Sequence, residues 1–481
     1  MNKNLKKTKI IATLGPASSS KETMIQMIQA GVDVFRINFS HADYELVLKN
    51  VNIIREINKE YGYSVSILGD LQGPKLRVGV VKEGSYLNPG DILTFTNEKL
   101  EGDATKVYMT YEKFPQDVKV GERILIDDGK LVFEVIETNN VDTVRAKTIQ
   151  GGPLSSKKGV NLPNTDVSLP ALTEKDIEDA NFMLDHEFDW IALSFVRHAQ
   201  DIIDLKELMA KHPTNKTKTP IIAKIEKPEG VKNIDEILLE CDCLMVARGD
   251  LGVEVPMEQV PVIQKNLVNK ARLYAKPVII ATQMMETMIN ILTPTRAEVN
   301  DVANSVLDGA DAVMLSGETS VGKYPVEVVS NMAKIVKNIE KTPLYSKLNH
   351  VIEEKINCVD ERFITDKVCR SAVDIAKSTG AEAIVTLTSS GYTAFQISAH
   401  RPSSHIIVFS NNRRVITMLN LLWGVRAFYY DMEKSTDETV IQVNMLTHNY
   451  GFVEQGDFVI NLNAMPVHNG GKTNTLRLST I

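Results

Sequence analysis

The sequence contains little cysteine, few aromatic side chains and no excess of positive charge. Among 481 residues, cysteine occurs only at Cys241, Cys243, Cys358 and Cys369. The one closely spaced pair, Cys241 and Cys243, lies in an apolar run without a second pair or a nearby histidine, which disfavours a zinc site. The pattern predicts free thiols in a reducing compartment, consistent with a cytoplasmic protein. The net charge of −7 gives no support for general nucleic-acid binding.

Long apolar runs are also missing. No run approaches the roughly 18–20 residues that a membrane-spanning helix requires, so no membrane segment is expected. Near the N-terminus, positive charge followed by Ile10 and Ile11 suggests a signal peptide, but the run breaks at Thr13 and Gly15. That run is too short for the apolar region of a signal peptide and indicates a first strand. Apolar content of 43% is typical of a globular chain with about two to four domains.

Eight short runs rich in β-branched residues alternate with amphipathic stretches of helical period through the first 345 residues. Apolar runs joined by helices indicate parallel strands buried on both faces, and eight such units close a TIM-type barrel. The runs are Lys9–Gly15, Val32–Phe39, Ser64–Asp70, Trp190–Phe195, Pro220–Glu226, Cys243–Asp250, Pro277–Gln283 and Ala312–Glu318.

Two helix starts are marked between these runs. Thr173 with Asp176 predicts a capping box, in which the two residues hydrogen-bond each other's backbone amides. Pro294 after Thr293 predicts a helix that begins at that proline, because proline suits the first helical position.

Two regions depart from the alternation. About 120 residues separate the third and fourth strands, and this stretch carries short alternating runs divided by Asn-Pro-Gly and Asp-Asp-Gly turn signals. The pattern is typical of a small all-β domain, and its place among the functional loops of a barrel suggests a lid. After about Leu344, five further runs with helices between them indicate an open α/β sheet. The predicted fold is a (β/α)8 TIM barrel (1–72 and 171–345), an inserted small β-barrel lid domain (73–170) and a C-terminal open α/β sheet domain (346–481).

Polar and charged side chains follow most of the barrel strands at their carboxyl ends, where barrel enzymes carry their catalytic residues. Glu226 and Asp250 are hard oxygen ligands on neighbouring strands and suit Mg²⁺ or Mn²⁺. Lys224 lies two residues before Glu226, on the same side of its strand, where it could neutralise a transferring phosphoryl group. Arg36 could hold a phosphate in a fork of donors. The full set is Arg36, Asn38, Ser40, Asp70, Ser194, Lys224, Glu226, Arg248, Asp250, Thr282, Ser316 and Glu318.

Seven short motifs resemble those of the pyruvate kinase family: RINFSHA, GDLQGPKLR, GVNLP, AKIEKPEG, MVARGDLG, ATQMMETM and VMLSGET. The resemblance extends over all three predicted regions. It implies transfer of the phosphoryl group of phosphoenolpyruvate to ADP, giving pyruvate and ATP. It also implies a divalent metal and a homotetramer.

The resemblance implies roles for individual residues as well. Lys224 is similar to the lysine that stabilises the phosphoryl transition state, and Glu226 and Asp250 match the metal ligands. Thr282 would lie near the enolate carbon and help to deliver a proton through water. The substrate is assigned to Arg36, Lys224, Gly249, Asp250 and Thr282, and the nucleotide to Asn38, His41, Arg77 and Lys157.

Alternative interpretations stay open. Arg36 could form only a structural salt bridge, Lys157 and Lys158 could be a solvated pair on the lid, and Lys224 could form a Schiff base as in barrel aldolases. The chain could then be an aldolase or lyase acting on phosphoenolpyruvate or a 2-oxo acid. It could also be a non-catalytic protein derived from an enzyme, although the presence of the lysine and both carboxylates favours a catalyst.

One departure from the family pattern concerns potassium. Members that require K⁺ bind it with an asparagine, a serine, an aspartate and a threonine carbonyl, with a glutamate nearby. This sequence has Asn38, Ser40 and Asp70, but Leu71 stands at the threonine position and Lys75 at the glutamate position. An ammonium group can occupy the place of a monovalent cation. The chain thus resembles the potassium-independent branch, although a plain surface lysine at the lid hinge is the alternative.

A loop of small and hydroxyl residues precedes a predicted helix in the C-terminal region, where backbone amides favour phosphate binding. It aligns with the effector loop of the family, which often carries basic residues at the positions of Ser389 and Tyr392. We predict a phosphorylated allosteric effector, with a simple helix cap as the alternative. The loop residues are Thr388, Ser389, Ser390, Gly391 and Thr393.

Overall fold

The computed structural model describes residues 6–213, 218–348, 362–431, 436–465 and 472–481. Its strands, β1 to β21 in chain order, are Lys9–Thr13, Val34–Asn38, Ser66–Asp70, Tyr86–Leu87, Ile92–Thr96, Lys106–Tyr108, Arg123–Ile126, Leu131–Thr138, Thr143–Gln150, Gly152–Pro153, Val160–Asn161, Trp190–Leu193, Ile221–Ile225, Cys243–Ala247, Val278–Ala281, Ala312–Leu315, Ala383–Leu387, His405–Ser410, Val425–Tyr429, Phe458–Asn463 and Thr475–Thr480.

The α-helices, α1 to α17 in chain order, are Lys21–Ala30, Tyr44–Tyr61, Phe114–Asp117, Glu174–Asp185, Ala199–Lys211, Pro228–Lys232, Ile234–Glu240, Arg248–Glu254, Val260–Leu273, Arg296–Leu307, Gly317–Ser320, Pro325–Glu340, Pro343–Leu348, Phe363–Thr379, Tyr392–Ala399, Arg413–Met418 and Thr436–Asn449. Short 3-10 turns occupy Phe39–His41, Met257–Gln259, Glu286–Ile289 and Leu419–Leu421. None of the helices in these described ranges is long and apolar enough to cross a membrane.

Eight parallel strands close into a barrel in the order β1-β16-β15-β14-β13-β12-β3-β2. All eight predicted barrel strands are confirmed, each a few residues shorter than its apolar run. β1 closes the ring, because Ile10 pairs with Val313 of β16 and Ala12 with Phe35 of β2. These apolar side chains are fully buried, and burial of each large one contributes about 1.5–3 kcal/mol.

The inserted domain, here called the lid, lies between β3 and β12. Its strands form a six-stranded sheet of order β11-β7-β8-β9-β5-β6 and a two-stranded ribbon of β10 and β4. The lid has a hydrophobic core separate from that of the barrel, in which the ring of Phe95 makes edge contacts with Phe114 and Phe133. The predicted all-β insertion therefore folds around its own core, with one helical turn at α3.

Both ends of the lid segment are bonded to one buried carboxylate, Asp176. Asp176 Oδ1 accepts a hydrogen bond of 3.0 Å from the backbone N–H of Gly73, which has a φ of 71°. Its Oδ2 accepts from the backbone N–H of Thr173 at 3.0 Å and from the Thr173 hydroxyl at 2.6 Å. The predicted capping box of α4 is confirmed. This one carboxylate therefore holds the two lid connections side by side.

The C-terminal sheet has the order β19-β18-β17-β20-β21, with β21 antiparallel to its neighbour. The predicted open α/β sheet is confirmed. The sheet domain packs beneath the barrel, where the indole N–H of the buried Trp190 donates to the carbonyl of Met418 at 3.0 Å. A buried ion pair of 2.7 Å between Arg401 and Asp311 joins the same two domains.

Two local predictions have different outcomes. The start of α10 was predicted at Pro294, which is wrong, because the helix begins at Arg296. Thr295 is its N-cap and forms a capping box with Glu298, which satisfies the first amides better than proline can. Cys241 and Cys243 are buried free thiols, and burial raises the pKa of Cys241 to about 12. Cys358 lies outside the described residues.

Candidate active site

The predicted site residues of the barrel meet at the carboxyl ends of its strands. Arg36 is in β2, Asp70 ends β3 and Lys224 is in β13. Asp250 is in the first turn of α8 and Thr282 directly follows β15. Because the strands are parallel, their ends open on one rim, and side chains from five sequence segments surround the same space.

Lys224 is the centre of a buried polar network. Its Nζ lies 3.1 Å from Asp70 Oδ1 and 3.0 Å from Glu226 Oε1, and it donates to Ser194 Oγ at 2.6 Å. The Ser194 hydroxyl in turn donates to the carbonyl of Leu71 at 2.7 Å. The ammonium group of Lys224 and the carboxylates of Asp70 and Glu226 are nearly excluded from solvent. Their mutual attraction is therefore much stronger than it would be in water.

This environment favours the charged form of Lys224. Burial lowers the pKa of Lys224, but the negative charges of Asp70 and Glu226 outweigh burial and raise it above its ordinary value. A Schiff-base lysine must instead lose its proton to act as a nucleophile. The network therefore disfavours the aldolase interpretation and suits a permanent positive charge beside a phosphoryl group.

Arg36 forms the salt bridge that was considered as its alternative role. Its Nε lies 2.7 Å from Asp70 Oδ2, and its Nη1 donates to the Thr13 hydroxyl at 3.0 Å. Burial raises the pKa of Asp70, but Lys224 and Arg36 more than compensate and hold it below its usual value. No acceptor among the described residues engages Nη2 of Arg36. The guanidinium is thus held in place with a donor remaining for an anion.

The two predicted metal ligands differ in exposure. Glu226 is buried and accepts a hydrogen bond of 2.8 Å from the backbone N–H of Phe195, whereas Asp250 is exposed on the rim. Burial raises the pKa of Glu226; the positive charge of Lys224 opposes this and the negative charge of Asp250 adds to it. Two carboxylates close enough to repel each other form a donor set that a divalent cation would stabilise.

The backbone after β15 is strained. Thr282 has a φ of 68° and Gln283 a φ of 54°, a left-handed conformation that costs about 1–3 kcal/mol per residue and is rarer still for a β-branched side chain. The Thr282 hydroxyl accepts a hydrogen bond of 2.7 Å from the backbone N–H of Gly249. It also donates to the carbonyl of Ala281 at 2.6 Å. Thr282 and Gly249, both predicted to bind substrate, are therefore in direct contact.

The residues considered for the monovalent-cation site lie on one side of the rim. Lys75 Nζ donates to the Ser40 hydroxyl at 3.3 Å, and the side chain of Asn38 accepts from the backbone N–H of Ser40. Surrounding protein lowers the pKa of Lys75; Asp250 opposes this and Lys224 adds to it. Although its side chain is exposed to the cleft, Lys75 is close enough to these groups to interact with them electrostatically.

Of the predicted nucleotide contacts, Arg77 and Lys157 belong to the lid, whereas Asn38 and His41 lie at and after the end of β2. Arg77 Nη1 donates to the carbonyl of Lys157 at 3.0 Å, and Lys157 is exposed with a φ of 61°. Lys158 forms an ion pair of 3.0 Å with Asp127 within the lid. His41 belongs to the 3-10 turn after β2, but its side chain lies outside the described part of the structure.

The predicted effector loop joins β17 to α15. Gly391 has a φ of 87°, and its backbone N–H donates to the buried Thr388 hydroxyl at 2.8 Å. Ser389 and Ser390 are exposed, whereas Thr393 is buried in the first turn of α15 with its hydroxyl 2.8 Å from that of Thr473. The same turn therefore forms both the predicted effector loop and the start of α15. The buried side chain of Thr393 faces the protein interior.

Some residues of the site were not assigned roles from the sequence. Ser194 and Arg248 follow strands, so their position was a usable signal for both. Thr13, which bonds Arg36, ends β1 and carries the same signal, whereas Asp301, which bonds Arg248, carries no local signal. Asp301 lies in the middle of α10, 53 positions from its partner.

Comparisons with known proteins agree over nearly the whole chain. Residues 5–329 match the family model "Pyruvate kinase, barrel domain", and residues 366–479 match "Pyruvate kinase, alpha/beta domain". The chain is 44% identical to pyruvate kinase 2 of Synechocystis sp. over 95% of its own length and 76% of that protein. It is 41% identical to the pyruvate kinase of Mycobacterium intracellulare, over 98% of each. The crystal structure of a pyruvate kinase from Cryptosporidium parvum superposes with a TM-score of 0.92 at 34% identity, covering 99% of this chain and 96% of that one.

Proposed function

This chain belongs to the pyruvate kinase family, whose reaction transfers the phosphoryl group of phosphoenolpyruvate to ADP, and from that premise we propose how its residues carry out the transfer. The observation that carries the proposal is the network of Lys224, Asp70 and Glu226, in which a permanently charged ammonium group is held at the barrel rim. Phosphoryl transfer depends mainly on positioning and charge stabilisation, which this network supplies.

Lys224 and Arg36 bind the phosphoryl group of the substrate. Asp70 holds both cations, Lys224 through Oδ1 and Arg36 through Oδ2, so that their donors are set before substrate arrives. As the phosphoryl group leaves the enolate oxygen, Lys224 stabilises the charge on its oxygens. Preorganised charges need no rearrangement during the reaction, which makes their contribution to the rate large.

The substrate carboxylate lies at the start of α8, beside Gly249, Asp250 and Thr282. The first backbone amides of a helix have no partner within the helix and can donate to an anion. The hydroxyl of Thr282 is held by the Gly249 amide on the same side of the rim. There it orders the water that delivers a proton to the enolate carbon and completes pyruvate.

Glu226 and Asp250 would hold a divalent metal, Mg²⁺ or Mn²⁺. Glu226 directly follows β13, and Asp250 is in the helix that follows β14, the neighbouring strand of the barrel, so both can supply carboxylate oxygens at the same part of the rim. Among the described residues no group of three or more His, Cys, Asp or Glu gathers around one point. Two carboxylates suit Mg²⁺, which completes its shell with water and substrate oxygens. When bound, the cation would neutralise the phosphates that both substrates bring.

ADP is bound on the lid side of the rim. Asn38, His41, Arg77 and Lys157 are the proposed contacts, and the hydrogen bond from Arg77 to the Lys157 carbonyl holds two of them together. Arginine and lysine at the lid hinge place positive charge where the diphosphate of the nucleotide must face Lys224 and Arg36.

Lys75 replaces a potassium ion. Its Nζ donates to the Ser40 hydroxyl at 3.3 Å, and the negative charge of Asp250 opposes the lowering of its pKa by burial. The Leu71 carbonyl, which stands at the position of a potassium ligand, accepts a hydrogen bond from Ser194. An ammonium group in this place supplies the charge of a monovalent cation, so activity needs a divalent metal but no added K⁺.

The transfer itself is tested by isotope labelling. Phosphoenolpyruvate labelled with ³²P in its phosphoryl group is incubated with the protein, ADP and Mg²⁺ in a buffer free of K⁺ and Na⁺. We expect the label in ATP and an equal amount of pyruvate. If the label reaches only inorganic phosphate, the proposed transfer to ADP is contradicted. If the label reaches ATP only when K⁺ is added, the proposed role of Lys75 is contradicted.

Substitution Glu226→Gln tests the metal site. We expect the Mg²⁺ concentration that gives half-maximal activity to rise at least about 10–100-fold, the loss typical of an outer-shell partner, because a direct carboxylate ligand is lost. Electron paramagnetic resonance of Mn²⁺ should show the same loss in affinity without substrates. Glu258→Gln, an exposed residue just after α8, is the matched control and should leave both values unchanged. Equal Mn²⁺ affinity in the two variants would exclude Glu226 as a ligand.

The loop Thr388–Gly391 binds a phosphorylated effector, which is a sugar phosphate or a nucleotide. The guanidinium of Arg362 lies 3.9 Å from the ring centre of Tyr392 and brings positive charge to the loop that Ser389 and Tyr392 do not supply. A panel of sugar mono- and bisphosphates and AMP should contain a compound that changes the half-saturating phosphoenolpyruvate concentration several-fold.

Ser389→Glu should remove this response, because the added negative charge repels a phosphate. Ser378→Glu, on the exposed surface of α14, makes the same chemical change elsewhere and should respond like the original protein. If no compound in the panel shifts half-saturation, the loop is only a helix cap.

Two further proposals concern the assembly and the location of the protein. We propose a homotetramer that acts in the cytoplasm, which is consistent with the buried thiols of Cys241 and Cys243. Light scattering after size-exclusion chromatography measures the subunit number, and a mass of one or two chains would contradict the tetramer.

A further inference from the structure

The left-handed turn at Thr282 and Gln283 is held by a side chain that has no role in the transfer described above. Arg248, the first residue of α8, donates from Nη2 to the carbonyl of Thr282 at 2.7 Å and to that of Gln283 at 3.3 Å. These two carbonyls belong to the residues whose φ angles are positive. The guanidinium therefore bonds the strained backbone itself and not a neighbouring segment.

Arg248 is in turn held by Asp301 of α10. Its Nη1 lies 2.6 Å from Asp301 Oδ1, and its Nη2 lies 2.7 Å from Asp301 Oδ2, which is the paired geometry of an arginine–carboxylate fork. The guanidinium is about nine-tenths buried. A fork of this kind sets the plane and direction of the guanidinium, which a single contact to a lysine would leave free to rotate.

We propose that the pair Arg248–Asp301 is a positioning device that keeps the Thr282 hydroxyl at the enolate carbon of the substrate. The device holds the turn from one side through the Thr282 carbonyl, while the Gly249 amide holds the Thr282 hydroxyl from the other. Both donors come from consecutive residues at the start of α8. The proton-delivery group and the segment that carries Asp250 are thereby fixed to each other.

Strain explains why such a device is needed. A β-branched residue with positive φ relaxes to an extended or helical conformation unless its surroundings prevent it. Relaxation at Thr282 would turn its hydroxyl away from Gly249 and from the substrate. The bonds from Arg248 to two successive carbonyls oppose that rotation, so loss of the fork should affect proton transfer more than binding.

The inference rests on the proposed role of Thr282 and is tested through one partial reaction. With Mg²⁺ and phosphate, pyruvate bound at the site can lose a proton from its methyl carbon to water and form the enolate. The enolate then takes up a deuteron when the solvent is D₂O. Each cycle replaces one C–H bond by one C–D bond and consumes nothing else, and proton NMR of the methyl signal measures its rate.

Arg248→Lys and Asp301→Asn should each reduce this exchange about 10–100-fold, less than the roughly 10²–10⁴-fold that complete loss of general acid–base assistance costs, because the Thr282 hydroxyl itself remains. The KM for phosphoenolpyruvate should change less than about threefold, since Lys224 and Arg36 remain. The double variant should be no slower than the slower single variant, because both changes break the same fork. Lys265→Met, which breaks an ion pair with Asp308 between α9 and α10, is the matched control and should exchange normally.

Thr282→Val tests the proposed role of Thr282 separately from the positioning role of Arg248 and Asp301. If this variant exchanges normally, the proposed role of Thr282 fails and the positioning role fails with it. If it loses exchange while Asp301→Asn, folded by circular dichroism, keeps it, only the positioning role is refuted. If a rise in the KM for pyruvate accounts for the whole loss of exchange rate in Asp301→Asn, the positioning role is also refuted. Substrate binding and not proton transfer would then be affected.

Discussion

Replacement of Lys224 by methionine should reduce phosphoryl transfer about 1000-fold or more while the barrel remains folded. The substitution keeps the length of the side chain but removes the ammonium group that contacts both Asp70 and Glu226. Loss of one preorganised charge at a transition state costs about 10²–10³ in rate, and here the change also leaves two buried carboxylates facing the substrate phosphate. Transfer of ³²P from phosphoenolpyruvate to ADP is the direct measurement.

Two further variants make this result interpretable. Lys21→Met removes a lysine that pairs with Glu56 and Glu60 on the outer surface and should leave the transfer rate unchanged. Lys224→Arg retains the charge and should recover part of the activity, since arginine can still reach a carboxylate. Activity of Lys224→Met within tenfold of the original protein would remove this lysine from the mechanism.

The second large effect is expected for Lys75→Glu, which should create a requirement for K⁺ in an enzyme that we propose to be independent of it. Without the ion, activity should fall about 100-fold, because the change replaces a positive by a negative charge beside Asp250 and Glu226. Added K⁺ should restore most of the loss by binding among Ser40, Asp70 and the new carboxylate.

The measurement is a titration with KCl in a buffer of bulky organic cations at constant ionic strength. Lys82→Glu makes the same charge reversal on an exposed part of the lid and should show no response to K⁺. If Lys75→Glu is equally active with and without K⁺, Lys75 is only a surface lysine of the hinge. If the original protein itself responds to K⁺, its independence is refuted directly.

The barrel was predictable because its strands are continuous apolar runs with a polar residue at the end, and both features are local. The same locality explains the capping box at Thr173, which needs only one partner three positions away. The error at Pro294 is also local, because the residue after this proline, Thr295, forms a capping box with Glu298 and starts the helix instead.

Other parts of the site depend on three-dimensional proximity and were beyond sequence reasoning. The sequence around Asp301 does not indicate that it pairs with Arg248. The positive φ of Thr282 could not be predicted from its residue type, because threonine rarely adopts this conformation. The sequence could place Lys224, Glu226 and Asp250 on one rim. It could not show that Asp70 bonds two cations at once, because that requires the closed ring of strands.

The insertion of the lid between β3 and β12 affects how the chain reaches its native state. These strands are hydrogen-bonded neighbours, for example at Leu68 and Trp190, yet about 120 residues lie between them. Closure of an unfolded loop of that length costs about 1.4 kcal/mol more than closure of a barrel connection of roughly 25 residues, since each doubling adds about 0.6 kcal/mol.

A folded lid largely removes that entropic cost. Its core is separate from that of the barrel, and its two ends lie side by side in the folded chain, where Asp176 of α4 bonds both connections. To the barrel, the lid is then a short connection between two strands, comparable to the loops that join the others. The insertion is long in sequence, but its two ends are close in space. Once the lid is folded, the entropic cost of pairing β3 with β12 is therefore close to that of a short connection.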